Sequence, residues 1–203
     1  MSFVKRVIEF VMDILETIVF VGSIFIMLYL FIMQPNQVKG ASMEPTFASG
    51  DYIFTSKITY KFRSPERGDI VVFRSPKNPD IDYIKRVIGL PGDQILIQKG
   101  TVFVNGTSIN ESYITSSTNL WDGGFVSEGV PITVPESELF VMGDNRQRSS
   151  DSREFGPIPA ESVIGQVFYR YFPSSKMGEI RNPFPKTNTL RSSSGLLVSL
   201  PCL

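Results

Sequence analysis

From Thr17 to Met33 the chain carries no charged residue. A stretch apolar on every side cannot be a surface helix or a half-buried strand; it needs an apolar environment all round. As a helix rising ~1.5 Å per residue it covers roughly 26 Å. That is close to the ~30 Å hydrocarbon core of a bilayer, and Ile14 and Leu15 lengthen it when Glu16 lies near the headgroups. A cleavable leader fits less well. The run exceeds the usual leader core, Glu9, Asp13 and Glu16 are atypical of its first part, and Lys39-Gly40-Ala41 is a poor cleavage site. The expectation is a short cytoplasmic N-terminus over 1–13, a transmembrane helix over 14–33, a folded domain over 36–173 and a tail over 174–203. Lys5 and Arg6 favour an inside N-terminus, diluted by Lys39 beyond the span, which puts the domain on the outer face of the cell membrane.

Past Gln34-Pro35-Asn36-Gln37, a polar exit with a helix-stopping proline, the pattern is mainly β. Residues 51–56, 69–74, 83–88, 94–98, 101–104, 138–142 and 163–171 are short runs rich in β-branched and aromatic residues, bounded by Gly, Pro, Asn or Asp. Asn105-Gly106 between apolar runs predicts a two-residue hairpin. Residues 107–131, polar and glycine-rich around an isolated Trp121, predict an extended loop or protruding ribbon. No long amphipathic helix follows the apolar run. The predicted fold is one membrane helix followed by a compact all-β domain of folded antiparallel sheets or a barrel. The last apolar piece, Leu196 to Leu203, is too short to span a bilayer.

The chain has no histidine, and its single cysteine is Cys202. A Ser-His-Asp triad, a Cys-His dyad, a histidine-ligated or cysteine-cluster zinc site and an intrachain disulfide are all excluded. No metal and no cofactor is expected. Twenty acidic residues balance twenty basic ones, which argues against nucleic acid as a partner. A serine nucleophile here must be activated without imidazole, and a neutral lysine is the credible substitute.

Two residues stand out on that ground. Ser42, in Gly40-Ala41-Ser42-Met43-Glu44-Pro45, is separated from the apolar run by eight residues, which keeps it within about 30 Å of the membrane face. Most lone serines are structural or solvated. Lys85 lies in a strand pattern that puts Tyr83, Lys85 and Val87 on one face and Ile84, Arg86 and Ile88 on the other. Both faces are largely apolar, so one of the two cations points where water is scarce, unless the strand is an edge and the lysine snorkels. A buried lysine loses basicity and can serve as a general base near neutral pH. A third cluster runs from Gly143 to Gly156, with both charge signs among small hydroxyl residues. It reads either as a solvated loop or as a packed scaffold in which Asp144 and Asp151 pair with Arg146 and Arg153, leaving a serine to orient the amine.

Four segments taken together resemble the bacterial type I signal peptidases (leader peptidases): Gly40 to Phe47, Arg67-Gly68-Asp69 to Phe73, Asp82 to Asp93, and Gly143 to Pro159. They occur in that family's order behind an apolar anchor. The resemblance implies Ser42 as nucleophile, Lys85 as general base and Ser149 as the hydroxyl that orients the lysine amine. It implies Asp144, Arg146, Asp151 and Arg153 as a structural charge network, and Val38, Met43, Phe47, Tyr83 and Ile84 as the lining of pockets for small residues. Gly40 stands where some relatives have a serine that helps bind the oxyanion, so the hole here relies on the Ser42 N–H. The implied partners are precursor proteins bearing signal peptides, cut after small residues of the A-x-A type, and the lipid bilayer. Two other readings remain: a self-cleaving serine–lysine protein, and a membrane-tethered β module that binds extended peptides without cutting them.

Overall fold

The computed structural model describes residues 3–184; the tail beyond, with Cys202 and Leu196 to Leu203, lies outside the described residues. Helix α1 (Phe3–Phe31) is continuous from near the N-terminus and has no buried residue. It is long and apolar enough to cross a membrane. The acidic residues expected to precede the helix are therefore part of it, and it stops two residues before the expected end. Within it the hydroxyls of Thr17 and Ser23 donate to the carbonyls of Asp13 and Val19 one turn back, which satisfies them without water.

The polar exit is not a free linker. It forms strand β1 (Met33–Gln37), an edge strand antiparallel to β2 (Tyr52–Ser56). An edge tolerates Pro35, because the missing N–H costs no ladder bond on the open side. A short helix α2 (Thr59–Phe62) leads to β3 (Ile70–Arg74) and β4 (Asp82–Gly89). Strands β5 (Gln94–Gln98), β6 (Thr101–Val104), β7 (Thr107–Ser108) and β8 (Ile132–Thr133) form a second, four-stranded sheet in the order β7-β6-β5-β8. The chain then returns through β9 (Glu138–Met142), helix α3 (Ser152–Phe155), β10 (Ile158–Pro159), β11 (Val163–Phe172) and β12 (Gly178–Glu179). The larger sheet runs β1-β2-β11-β3-β4-β9-β10, with β12 on β11. Every pairing is antiparallel. The expected hairpin is present: Val104 pairs with Thr107, and Asn105 and Gly106 both have positive φ.

Alternation sorts the core. On β3, Ile70 and Val72 pack with Val38, Met43, Phe47 and Ile53, whereas Val71 and Phe73 pack with Val87, Leu139 and Val141. A third cluster, with Ile88, Ile95, Ile97, Phe140 and Met142, joins the two sheets. Gly89 marks that junction: a Cβ there would meet Ile95 and Phe140 at 2.9 Å, so the sheets close up only around a glycine. The segment 109–131 is a loop, but its first part is not free-standing. Glu111, Tyr113, Thr118, Asn119 and Trp121 are laid along three arginines of the domain.

Candidate active site

Ser42 is carried by the turn that follows β1. That turn is held from below by its own apolar residues: Met43 and Phe47 are fully buried in the core with Val38 and Ile53. Phe47 N–H donates to Met43 O at 2.8 Å, and Arg170 donates to Thr46 O at 2.8 Å and to Asp51 Oδ2 at 3.1 Å. From the other side Asn145 grips it, its backbone N–H donating to Ser42 O and its side-chain amide to Ala41 O, both at 3.0 Å.

Lys85 pairs with Val71 in the β3–β4 register, and Arg86 with Ile70. Both cations are buried, at 4% and 2% exposure; the alternation argument asked for one. Their environments differ in kind. Lys85 has no carboxylate partner among the described residues. Its Nζ lies 2.8 Å from Ser42 Oγ and 2.9 Å from Ile84 O, and 5.2 Å from the centre of the Tyr83 ring. Burial pulls its pKa down from an ordinary 10.5 to about 8, against the opposing pull of Asp151 and Asp144 and with a smaller push from Arg153. Arg86 instead donates twice to Asp144, at 2.8 and 2.6 Å, and once to Gly68 O, and lies 4.1 Å from the Tyr113 ring centre. One cation is thus made easier to deprotonate, while its neighbour keeps its charge and is paired.

The charge network departs from the expected pairing. Asp151 and Arg153 pair with each other. Asp144 takes Arg86 and the Thr46 hydroxyl, and Arg146 turns to Glu111 and the Thr118 hydroxyl in the overlying loop. Arg86 claims Asp144 because β4 pairs with β9 at Arg86 and Met142, two residues before the aspartate. Ser149 is 2% exposed, yet its Oγ makes no hydrogen bond among the described residues. The expected bond to the Lys85 amine is not formed; Ile84 O and Ser42 Oγ take that amine. The Ser149 side chain lies against Gly143, where a Cβ would sit 2.1 Å from Ser149 Oγ and 2.5 Å from Ser42 O. Only glycine lets the two segments meet there.

Ser42 and Lys85 open into a cleft of about 700 Å³. Val38, Tyr83 and Ile84 line it as expected. Met43 and Phe47 do not; they are packed beneath it, while Ile53 and Val72 reach its wall. One wall is the first half of β4. Residues 82–85 pair with β3 on one side only, because β9 joins β4 from Arg86 onward. That leaves an open strand edge along the cleft among the described residues. The arrangement suits acyl transfer from an extended peptide to the serine: an amine of lowered basicity beside a hydroxyl, next to an unpaired backbone edge. Arg86, Glu111, Thr46 and Asn145 were missed as site residues. For Arg86 the signal was present, since a buried guanidinium demands an acid.

Comparison with known proteins gives the same picture. The signal peptidase family, peptidase S26, matches residues 11–172. The chain is 38% identical over 153 residues to a probable signal peptidase I-2 of Synechocystis sp., covering 73% of this chain and 67% of that protein. It is 34% identical over 185 residues to signal peptidase IB of Staphylococcus aureus, covering 84% and 96%. A crystal structure of a signal peptidase I from Enterococcus faecalis aligns with a TM-score of 0.43 at 35% identity, over 51% of this chain and 97% of that one. By the family match over residues 11–172 and the extent of the sequence identity, the chain belongs to the signal peptidase family, peptidase S26.

Proposed function

We propose that this protein is a membrane-bound serine endopeptidase that removes signal peptides from secreted precursors. The observation that carries it is the 2.8 Å contact between Ser42 Oγ and the buried, carboxylate-free Lys85 amine, beside an open strand edge. The precursor lies extended along residues 82–85, and Val38, Tyr83 and Ile84 leave room for small side chains near the cut. Neutral Lys85 takes the Ser42 proton as Oγ attacks the scissile carbonyl, and the resulting ammonium protonates the leaving amine. The same amine then activates the water that clears the acyl-enzyme. Helix α1 is the anchor, with the N-terminus cytoplasmic and the domain on the outer face, where it meets precursors held by their own apolar segments. The direct test is incubation of detergent-solubilised protein with a precursor ending in A-x-A. Cleavage after the last alanine is the expected result; binding without cleavage would make the protein a peptide-binding module.

The pH dependence follows from Lys85. The active form is the neutral amine, so kcat/KM should rise through about pH 8 and then level off. The unfolded chain keeps this proton up to about pH 10.5 while the native state sheds it at about 8. The native state is therefore penalised in full below pH 8, and the penalty fades between pH 8 and 10.5. A pKa difference of that size corresponds to about 3 kcal/mol. Lys85→Met should accordingly be more stable than the parent at pH 6–7, with the gain shrinking towards pH 10. A pH-independent stability difference in denaturant titrations would rule this out.

Ser149 enters this reading through its unsatisfied hydroxyl. A buried polar group without a partner is costly and needs a reason. Once protonated, Lys85 carries three donors, whereas Ser42 Oγ and Ile84 O supply two contacts. The Ser149 hydroxyl is the third acceptor proposed for that state. Ser149→Ala should therefore lower kcat about 10–1000-fold with little change in KM. Unchanged kcat would remove Ser149 from the mechanism.

A further inference from the structure

The serine–lysine mechanism needs a donor for the negative charge that develops on the scissile carbonyl oxygen. Gly40 has no side chain to offer, and the Ser42 N–H is the nearest backbone candidate. It has no hydrogen-bond partner among the described residues, as a donor awaiting a substrate oxygen should. A single donor works only if it is aimed, because the oxyanion position lies about 3 Å away and stabilisation comes from dipoles already in place.

What aims it is the other end of the same peptide group. The Ala41–Ser42 peptide is planar and trans, so its C=O and N–H point in opposite directions. Whatever fixes Ala41 O fixes the direction of the Ser42 N–H. Ala41 O accepts two hydrogen bonds: one from Glu44 N–H at 3.2 Å, local to the turn, and one from Asn145 Nδ2 at 3.0 Å. Only an amide nitrogen can face that carbonyl, which settles the orientation of the Asn145 side chain. The Asn145 backbone N–H holds the next carbonyl, Ser42 O, at 3.0 Å. One residue, three past the end of β9 and far along the chain, thus clamps two successive carbonyls around the nucleophile. Its location is itself rigid, since neighbouring Asp144 and Arg146 are tied to Arg86 and Glu111.

We infer that Asn145 is a positioning residue for oxyanion stabilisation, acting through Ala41 O to orient and polarise the Ser42 N–H. A donor on the carbonyl draws electron density from the peptide and strengthens its N–H as a donor, by the cooperativity of linked hydrogen bonds. This inference rests on the serine–lysine reading. It also accounts for how the site works with glycine at position 40.

The test uses full-length, detergent-solubilised enzyme carrying Asn145→Ala or Asn145→Asp. The aspartate variant keeps the side-chain shape and the backbone N–H but cannot donate to Ala41 O. Both should lower kcat about 10–100-fold, below the full loss of an oxyanion donor because the Glu44 bond remains. KM should stay within about twofold. In the alanine variant the rising limb of the pH profile should not move, whereas the carboxylate of the aspartate variant should shift it upward, as Asp144 and Asp151 already do. Affinity for a peptide boronate, whose tetrahedral adduct places an oxygen in the hole, should fall by a similar factor, while a non-cleavable peptide binds as before. A kcat within twofold of the parent at the pH optimum of each variant, a loss carried in KM, or a displaced pH limb in the alanine variant would each overturn the inference. If the alanine variant does not fold, the aspartate variant decides; loss of folding in both marks Asn145 as structural and also overturns it. Failure of the serine–lysine reading is distinguishable, because it would appear as activity surviving in Ser42→Ala or Lys85→Met in the same assay.

Discussion

Lys85→Arg should be as inactive as Ser42→Ala, with precursor cleavage down by about 10⁴–10⁶-fold in each. The arginine keeps the charge and much of the length of lysine, so the comparison isolates the property that matters. A guanidinium is effectively never deprotonated in a protein and cannot accept the Ser42 proton. It would also bring a permanent charge into a position that is 4% exposed and has no carboxylate partner among the described residues, which threatens folding. Lys85→Met is therefore the companion variant: it fills similar volume without charge, should fold, and should be equally inactive. Cleavage by either variant within tenfold of the parent rate would remove Lys85 as the base. Single-turnover assays with the thermal midpoint recorded in parallel separate lost chemistry from lost fold.

Asp144→Ala should be among the most destabilising single changes in the domain, for a reason separate from catalysis. Asp144 is 1% exposed and answers both nitrogens of the Arg86 fork as well as the Thr46 hydroxyl. Removing it leaves a guanidinium buried without its counter-charge, which costs about 3–5 kcal/mol. For a domain of this size that is a fall in Tm of roughly 6–20 °C. Removing both charges should hurt less than removing one, so Arg86→Met with Asp144→Leu is expected to lie closer to the parent than Asp144→Ala does. Equal or greater destabilisation in the double variant would mean that the pair itself, and not the orphaned charge, sets the stability.

Much of this architecture was legible in the residues. The apolar run gave a long helix, and the short β-branched segments gave strands at nearly their observed bounds. The Asn105-Gly106 turn appeared where its chemistry demands. What escaped was whatever depends on contacts distant in sequence. Pro35 argued for a linker, but its strand is an edge, where a missing N–H costs little. The segment 107–131 read as an extended loop or protruding ribbon because its residues are polar and glycine-rich. That polarity exists to meet Arg86, Arg146 and Arg153, and only the folded chain brings those arginines under it. The absence of histidine pointed to a serine–lysine pair, and the resemblance singled out Ser42 and Lys85 as its members. The partners of its scaffold were not, because an acid beside two arginines in sequence does not say which arginine it will face; β4–β9 pairing decides that for Asp144. The Lys85–Ser149 contact was expected from resemblance alone, and the 2.8 Å contact with Ser42 shows where the amine points instead.

The half-open β4 strand carries a hazard as well as a use. An unpaired edge accepts any extended chain, including the same edge of a second molecule, and so invites self-association. Two charges stand guard at its outer end: Asp80 and Asp82 are both exposed and form no salt bridge among the described residues. When two such edges meet side by side in parallel, their carboxylate pairs come together, and the like charges repel. An uncharged peptide of small residues meets no such barrier. The acidic end thus disfavours one mode of pairing with a twin without standing in the way of a neutral guest.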